Sequence, residues 1–127
     1  MGSSVLLVVG DRRGKVSAGL GKAHDIASAI RKASSYARKH LLTVSLHEER
    51  TIAHRILVRY GAAQLLLTPA PKGSGIIAGG AVRTVLQLAG IKDVVGKMLG
   101  SHNKITNVYA TLKALELLSN EEVRKKS

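Results

Sequence analysis

The chain of 127 residues has no Phe, no Trp and no Cys, so any core it forms has to be built from aliphatic side chains. A hydrophobic content of 45% is enough to close one ordinary domain or two very small ones, and it argues against wholesale disorder. The lack of cysteine excludes a disulfide scaffold, a thiolate metal site and a cysteine nucleophile, and it fits a reducing compartment. No apolar run reaches the roughly 18 residues of a spanning helix. The start, Met-Gly-Ser-Ser-Val-Leu-Leu-Val-Val, lacks the basic region and the long apolar stretch of a signal peptide. A soluble, non-secreted chain is expected.

Twenty Lys and Arg stand against eight Asp and Glu, a formal charge of +12. Small domains usually stay within roughly 2–8 charges, because more brings self-repulsion. A polyanionic partner accounts for the excess most economically, and phosphate backbones are the usual one. Three tyrosines are too few for stacking platforms along a single strand, which leaves backbone and shape reading of folded RNA. The first 40 positions carry Arg12, Arg13, Lys15, Lys22, Arg31, Lys32, Arg38 and Lys39 against only Asp11 and Asp25. Glu116, Glu121 and Glu122 collect at the C-terminal end, whose last charged residues are expected to fray.

Val5 to Val9 is an unbroken aliphatic run ended by Gly10-Asp11-Arg12-Arg13-Gly14, and Lys15 to Leu20 resumes, which predicts a β-hairpin with a basic turn. Asp25 is a natural N-cap for a helix to about Leu41, with Ile26, Ala29, Ile30, Ala33 and Ala37 as its apolar stripe. On that helix Arg31 and Arg38 repeat at seven residues, as do Lys32 and Lys39, placing bases away from the apolar stripe. Short strands are expected at Leu42–Leu46, Arg55–Tyr60 and Gln64–Thr68, with Gly61 as a tight turn. Pro69 to Gly80 reads as a loop, and a helix follows from about Ala81 to Ala89, closed by Gly90. Lys92–Leu99 reads as a strand, Gly100–Lys104 as a polar turn, and Ile105 to about Leu118 as a final helix.

Catalytic patterns fail on inspection. A phosphate loop ending at Gly21-Lys22 needs Gly in place of Val16 and a hydroxyl residue in place of Ala23. Gly73, Gly75 and Gly79 are spaced one residue too long for a dinucleotide fingerprint. His47-Glu48-Glu49-Arg50-Thr51 lacks the second histidine of a zinc-protease helix, and the five histidines read as solvated surface residues. No enzyme, no metal and no cofactor is expected. The glycine-rich loop instead offers backbone N–H groups that a phosphate could approach, beside the N-terminus of the Val82 helix and flanked by Lys72 and Arg83. The same glycines would serve a tight packing turn equally well. Gly100-Ser101-His102-Asn103-Lys104 offers a second cluster of donors at a helix start, where Asn103 can also act as a cap.

Several motifs then occur in a characteristic order: Val8-Val9-Gly10-Asp11-Arg12-Arg13-Gly14-Lys15-Val16, Gly19-Leu20-Gly21-Lys22-Ala23, Ala29-Ile30-Arg31-Lys32-Ala33, Pro69 through Arg83, Leu88 to Val94, and Gly100-Ser101-His102-Asn103. Together, over Val5 to Leu118, they resemble the bacterial-type small-subunit ribosomal protein five. The resemblance implies an α+β fold: a shortened unit like a double-stranded-RNA-binding domain at residues 1–41, a second-domain α/β sandwich at 42–119, and a charged, flexible tail at 120–127. It implies a structural role in the small ribosomal subunit, supporting assembly and decoding accuracy, with small-subunit ribosomal RNA, ribosomal proteins four and eight and nearby messenger RNA as partners, and no membrane.

Carried onto this chain, the family's motifs implicate Arg12, Arg13, Lys15 and Lys22 on the hairpin and Lys72, Ser74 and Arg83 around the glycine-rich loop. They also implicate Ser101, His102, Asn103 and Lys104 in the following turn, and Arg31 and Arg38 complete the expected RNA-binding set from the helix face. The family usually has Pro where Lys104 stands, and a helix, a strand and a basic loop before the Val5 strand. The shortened start implies an exposed edge at Val5–Val9. It also favours a mitochondrial over a plastid ribosome, with a bacterial-type cytoplasm as the other location. An RNA- or membrane-surface-binding module outside the ribosome is the alternative.

Overall fold

In the computed structural model, which describes the backbone of residues 2–126 and side chains up to residue 121, three helices cover two small sheets. Strands β1 (Ser3–Gly10) and β2 (Lys15–Ala23) form the expected antiparallel hairpin, with Gly10 opposite Val16 and Ser3 opposite Ala23. Helix α1 (Ile26–Lys39) begins on Asp25, whose carboxylate accepts the Ser28 N–H at 3.1 Å. The third strand, β3, is only Leu42–Thr43 and pairs with the start of β2. The expected extension to Leu46 does not form: Val44 N–H still bonds in register to the Gly14 carbonyl at 2.6 Å, but β2 gives way there to the hairpin turn, and Ser45 N–H goes to the Ser119 hydroxyl at 3.1 Å.

The second sheet contains β4 (Ile56–Tyr60), β5 (Ala63–Pro69), β6 (Ile76–Ile77) and β7 (Val94–Leu99), in the order β4-β5-β7-β6. Two residues of the expected loop, Ile76 and Ile77, thus pair parallel to β7, and helix α2 (Gly80–Ala89) makes the crossover between them. Gly90 closes α2 in the left-handed conformation, φ 99°. Helix α3 (Lys104–Lys126) packs on β4 and β5 and runs past Leu118 into the segment expected as a tail. Glu, Arg and Lys are good helix formers and continue the turn. The side chains of 122–127 lie outside the described residues. No described helix is long and apolar enough to cross a membrane.

The core cluster contains only Val, Ala, Ile and Leu, as the composition requires, and it joins both sheets: Val16 and Ala18 of β2 belong to it together with Leu65, Leu67, Val85, Leu86 and Leu115. Strand β2 achieves this by being buried on both faces. Alternate residues point to opposite sides of a strand. Val16 and Ala18 enter the shared core, while Gly19 and Gly21 face α1, where an added Cβ would run into the carbonyl oxygens of Ala33 and Ala29. Helix and strand therefore meet at backbone distance. Only the alanines of the helix stripe, Ala29, Ala33 and Ala37, are buried; Ile26 and Ile30, expected beside them, are 63% and 43% exposed.

Candidate nucleic-acid interface

The hairpin turn is held by hydrogen bonds within itself and to α2. Asp11 Oδ1 accepts the N–H groups of Arg13 at 2.7 Å and Lys15 at 3.0 Å, and these bonds hold its carboxyl below the usual carboxylate range, the Arg13 bond contributing most. Arg12, at φ 61°, donates its own N–H to the Leu88 carbonyl, and Gly14 donates to Ala89, each at 2.9 Å. The turn is thereby fastened to the last carbonyls of α2, where Gly90 leaves room for the Arg12 carbonyl. Arg12, Arg13 and Lys15 are exposed, and Lys22 lies exposed near the other end of β2.

This docking gathers bases from distant parts of the sequence. Arg12, Arg83 and Lys92 line one cleft of about 360 Å³ between the hairpin turn, α2 and the glycine-rich loop. Arg83 also donates to the Ile76 carbonyl at 2.9 Å, tying α2 to the loop. Lys92 was not singled out in the sequence. Its only signal is a base beside Asp93 in an otherwise apolar stretch.

The glycine-rich loop is organised differently from the expected cradle. Asp93, 5% exposed, accepts the N–H groups of Gly73 at 3.1 Å and Gly75 at 2.9 Å on Oδ1, and its Oδ2 faces Arg50 at 3.4 Å. Arg50 donates further to the Ala70 carbonyl at 2.8 Å and to Glu48 at 2.9 Å. The Gly75 bond is the largest of the influences that lower the Asp93 carboxyl, and it acts against burial. Ser74 N–H is taken by the Pro71 carbonyl at 3.1 Å. The amides at 73 to 75 are therefore spent within the protein, and what this loop presents outward is the exposed Lys72 and Ser74.

The open backbone lies a few residues later. Gly79 caps α2 without any side-chain bond, and nothing lies within 4 Å of the space a Cβ would occupy at Gly79 or Gly80. The first amides of a helix have no partner in the helix itself and attract anions. The second predicted cluster faces the same space: Gly79, Gly80, Ser101, His102 and Lys104 line one groove of about 840 Å³. Behind this lining the Ser101 hydroxyl accepts the Asn103 N–H at 3.1 Å, and Asn103 Oδ1 accepts the N–H groups of Ile105 at 2.9 Å and Thr106 at 3.3 Å. Asn103 is thus the cap of α3.

On α1, Arg31 and Arg38 share a shallow groove with Lys39, and Arg31 is steadied by the Ser28 hydroxyl at 2.9 Å. Lys32 turns back to the Lys22 carbonyl at 3.1 Å. Two histidines depart from the solvated expectation: His54 Nε2 meets the Glu121 carboxylate and its Nδ1 the Arg55 carbonyl at 2.8 Å, and His40 Nδ1 meets the Tyr36 carbonyl at 2.8 Å. Among the described residues no group of His, Asp and Glu could hold a metal ion.

Comparison with known proteins matches both halves of the chain in order. Residues 1–45 match the N-terminal domain of ribosomal protein S5, and residues 58–127 match its C-terminal domain. Small ribosomal subunit protein uS5c of Spinacia oleracea is 46% identical over 113 residues, 89% of this chain and 37% of the relative. The protein of the same name from Thalassiosira pseudonana is 44% identical over 122 residues, 95% of this chain and 68% of its own length. Small ribosomal subunit protein uS5 of Chlamydia trachomatis serovar D is 46% identical over 116 residues, 91% of this chain and 70% of the relative.

Proposed function

The chain belongs to the ribosomal protein S5 family, and from that premise we propose that it is a structural constituent of the small ribosomal subunit that holds folded ribosomal RNA by its phosphates. The observation that carries the phosphate reading is the convergence of Arg12, Arg83 and Lys92 in one cleft, created when the hairpin turn docks on α2. Cations held at fixed spacing on a rigid frame suit the regular charges of an RNA backbone, and neutralising each phosphate releases counterion. The uncapped start of α2, with Ser101, His102 and Lys104 beside it, supplies a second anion-facing surface. Arg31 and Arg38 supply a third. Arg13, Lys15, Lys22, Lys72 and Ser74 are exposed on the hairpin and the loop and add to the field around these surfaces.

The role is architectural, with no catalytic step. Within the subunit it extends to assembly and decoding accuracy, with ribosomal proteins four and eight and messenger RNA as neighbours. The site is a ribosome in a bacterial-type cytoplasm or an organelle, and the bacterial and chloroplast relatives lend no support to preferring a mitochondrion over a plastid.

Sedimentation of the tagged protein tests the assignment: co-migration with small subunits is expected, and a position wholly free of them would point to an RNA-binding module outside the ribosome. Replacing Arg12 or Arg83 with Gln should weaken RNA binding uniformly across sequences and reduce the slope of log K against log salt by about 1 per lost phosphate contact. Affinity insensitive to ionic strength would defeat the phosphate reading.

A further inference from the structure

The three tyrosines of the chain, scattered at positions 36, 60 and 109, line a single cleft of about 620 Å³ between α1, β2, β4 and α3. Tyr36 is stacked on His40 with ring centroids 3.9 Å apart and planes 14° from parallel. Tyr60 and Tyr109 lie 6.4 Å apart at 19°. Tyr36 and Tyr60 remain 48% and 39% exposed, so their rings are accessible from outside. The aliphatic core takes none of these rings. In a protein that spends no other Tyr, Phe or Trp, gathering all of them around one opening concentrates the whole stacking capacity of the chain at one place.

We propose that this cleft receives an unpaired nucleobase extruded from folded RNA, held by stacking on the tyrosines while the neighbouring bases of the protein hold its backbone. This rests on the phosphate-binding reading above and adds a base-binding site to it. Charge complementarity selects the occupant. Lys113 lines the cleft, its ammonium anchored to the Arg59 carbonyl at 2.9 Å, and Lys39 follows Tyr36 by three positions on α1, on the adjoining side of the helix. Among the described residues Glu116 is the one acidic group in the lining. Arg31 and Arg38 stand on the other side of α1 from Tyr36 and His40, and Lys39, which lines their groove, lies one turn from Tyr36 and links the two sides. The volume lies within the roughly 300–1,000 Å³ of small-ligand sites and exceeds the needs of one base. Burial, with Tyr36 and Tyr60 beside it, pushes the Tyr109 hydroxyl above the ordinary phenol value, so it stays a hydrogen-bond donor at neutral pH.

The test uses two RNA hairpins of equal length, one fully paired and one carrying a single unpaired adenosine, titrated into the full chain at constant salt while tyrosine emission is recorded. Because the chain has no Trp and all its tyrosines line the cleft, that emission reports on the site. Stacking predicts that the bulged hairpin binds about tenfold more tightly than the paired one and quenches the emission. Tyr36→Leu and Tyr60→Leu should each reduce that preference while leaving the paired hairpin's affinity intact, which also shows that the variants fold. Tyr36→Phe and Tyr60→Phe should retain it. Equal affinities with unchanged emission would overturn the base site and leave the phosphate reading standing, whereas failure of both hairpins to bind would overturn that reading and the base site with it. Emission that changes with protein concentration in the absence of RNA would give the cleft to a second copy of the chain and overturn the proposal.

Discussion

Strand β2 and the loop after β5 are both rich in glycine, yet the residue does opposite things in the two places. At Gly19 and Gly21 the missing side chain is filled by another part of the protein, since the backbone of α1 occupies the space. At Gly73, Gly75, Gly79 and Gly80 nothing lies within 4 Å of that space; Asp93 takes the amides of Gly73 and Gly75, so the backbone left open to solvent or to a ligand is that of Gly79 and Gly80. The first set is a packing device and the second leaves an approach. Sequence pattern alone reads both as glycine-rich, because it records the absent side chain and not what replaces it.

The largest effect expected from this contrast is at β2. Gly21→Ala or Gly19→Ala forces a methyl group against a carbonyl of α1 and should cost about 3 kcal/mol or more, read as a lowered midpoint in urea unfolding. A variant of wild-type stability would show that α1 and β2 can separate cheaply and would end the packing account.

Next in size is the Asp93 brace. Asp93→Asn keeps the shape but loses the charge facing Arg50, so the Gly73 and Gly75 amides should exchange faster with solvent deuterium while those of β2 do not change. Acid should act likewise. The folded Asp93 carboxyl is lowered, so its contribution is complete above the ordinary carboxylate value, about 3.9, and is lost as pH falls through the lower folded value. The Gly19 and Gly21 contact consists of backbone and methyl groups and has nothing there to titrate. Equal loss of protection at both places in acid would break the comparison.

Gly75→Ala should cost less, about 1 kcal/mol, because the penalty is only that of a left-handed backbone at φ 76° and no clash accompanies it. Smallest of all is Gly79→Ala, at φ −90° in open space. Its stability should stay within about 0.5 kcal/mol of the parent, while RNA affinity falls about threefold if an amide bond to phosphate of roughly 0.5–1.5 kcal/mol is hindered. Loss of stability without loss of affinity would make Gly79 a packing glycine like those of β2.

Much of the architecture was legible before folding was considered. The hairpin, Asp25 as the cap of α1, the turn at Gly61, α2 with its terminal Gly90 and the cap at Asn103 all follow from short-range signals, since periodicity, side-chain caps and glycine punctuation act within a few residues. The candidate site was legible as a set of bases but not as an arrangement. Arg12 and Arg83 were picked out separately, and only docking of the hairpin turn on α2 brings them into one cleft with Lys92. The pattern of the glycine-rich loop suits a phosphate or a packing turn equally, and it does not show that Asp93, 18 residues beyond Gly75, takes the N–H groups. Ile26 and Ile30 were read as buried because periodicity gives the direction of a helix face but not the width of its contact.

By itself, then, the sequence determined an aliphatic core, the main elements and a strong cationic surplus, because each depends on composition or on neighbours along the chain. The tertiary structure decided which amides remain open, which cations converge and where the three tyrosines meet. Those are relations between residues tens of positions apart, set by how closely backbones can approach, and a glycine means room for a helix in one place and open backbone in another.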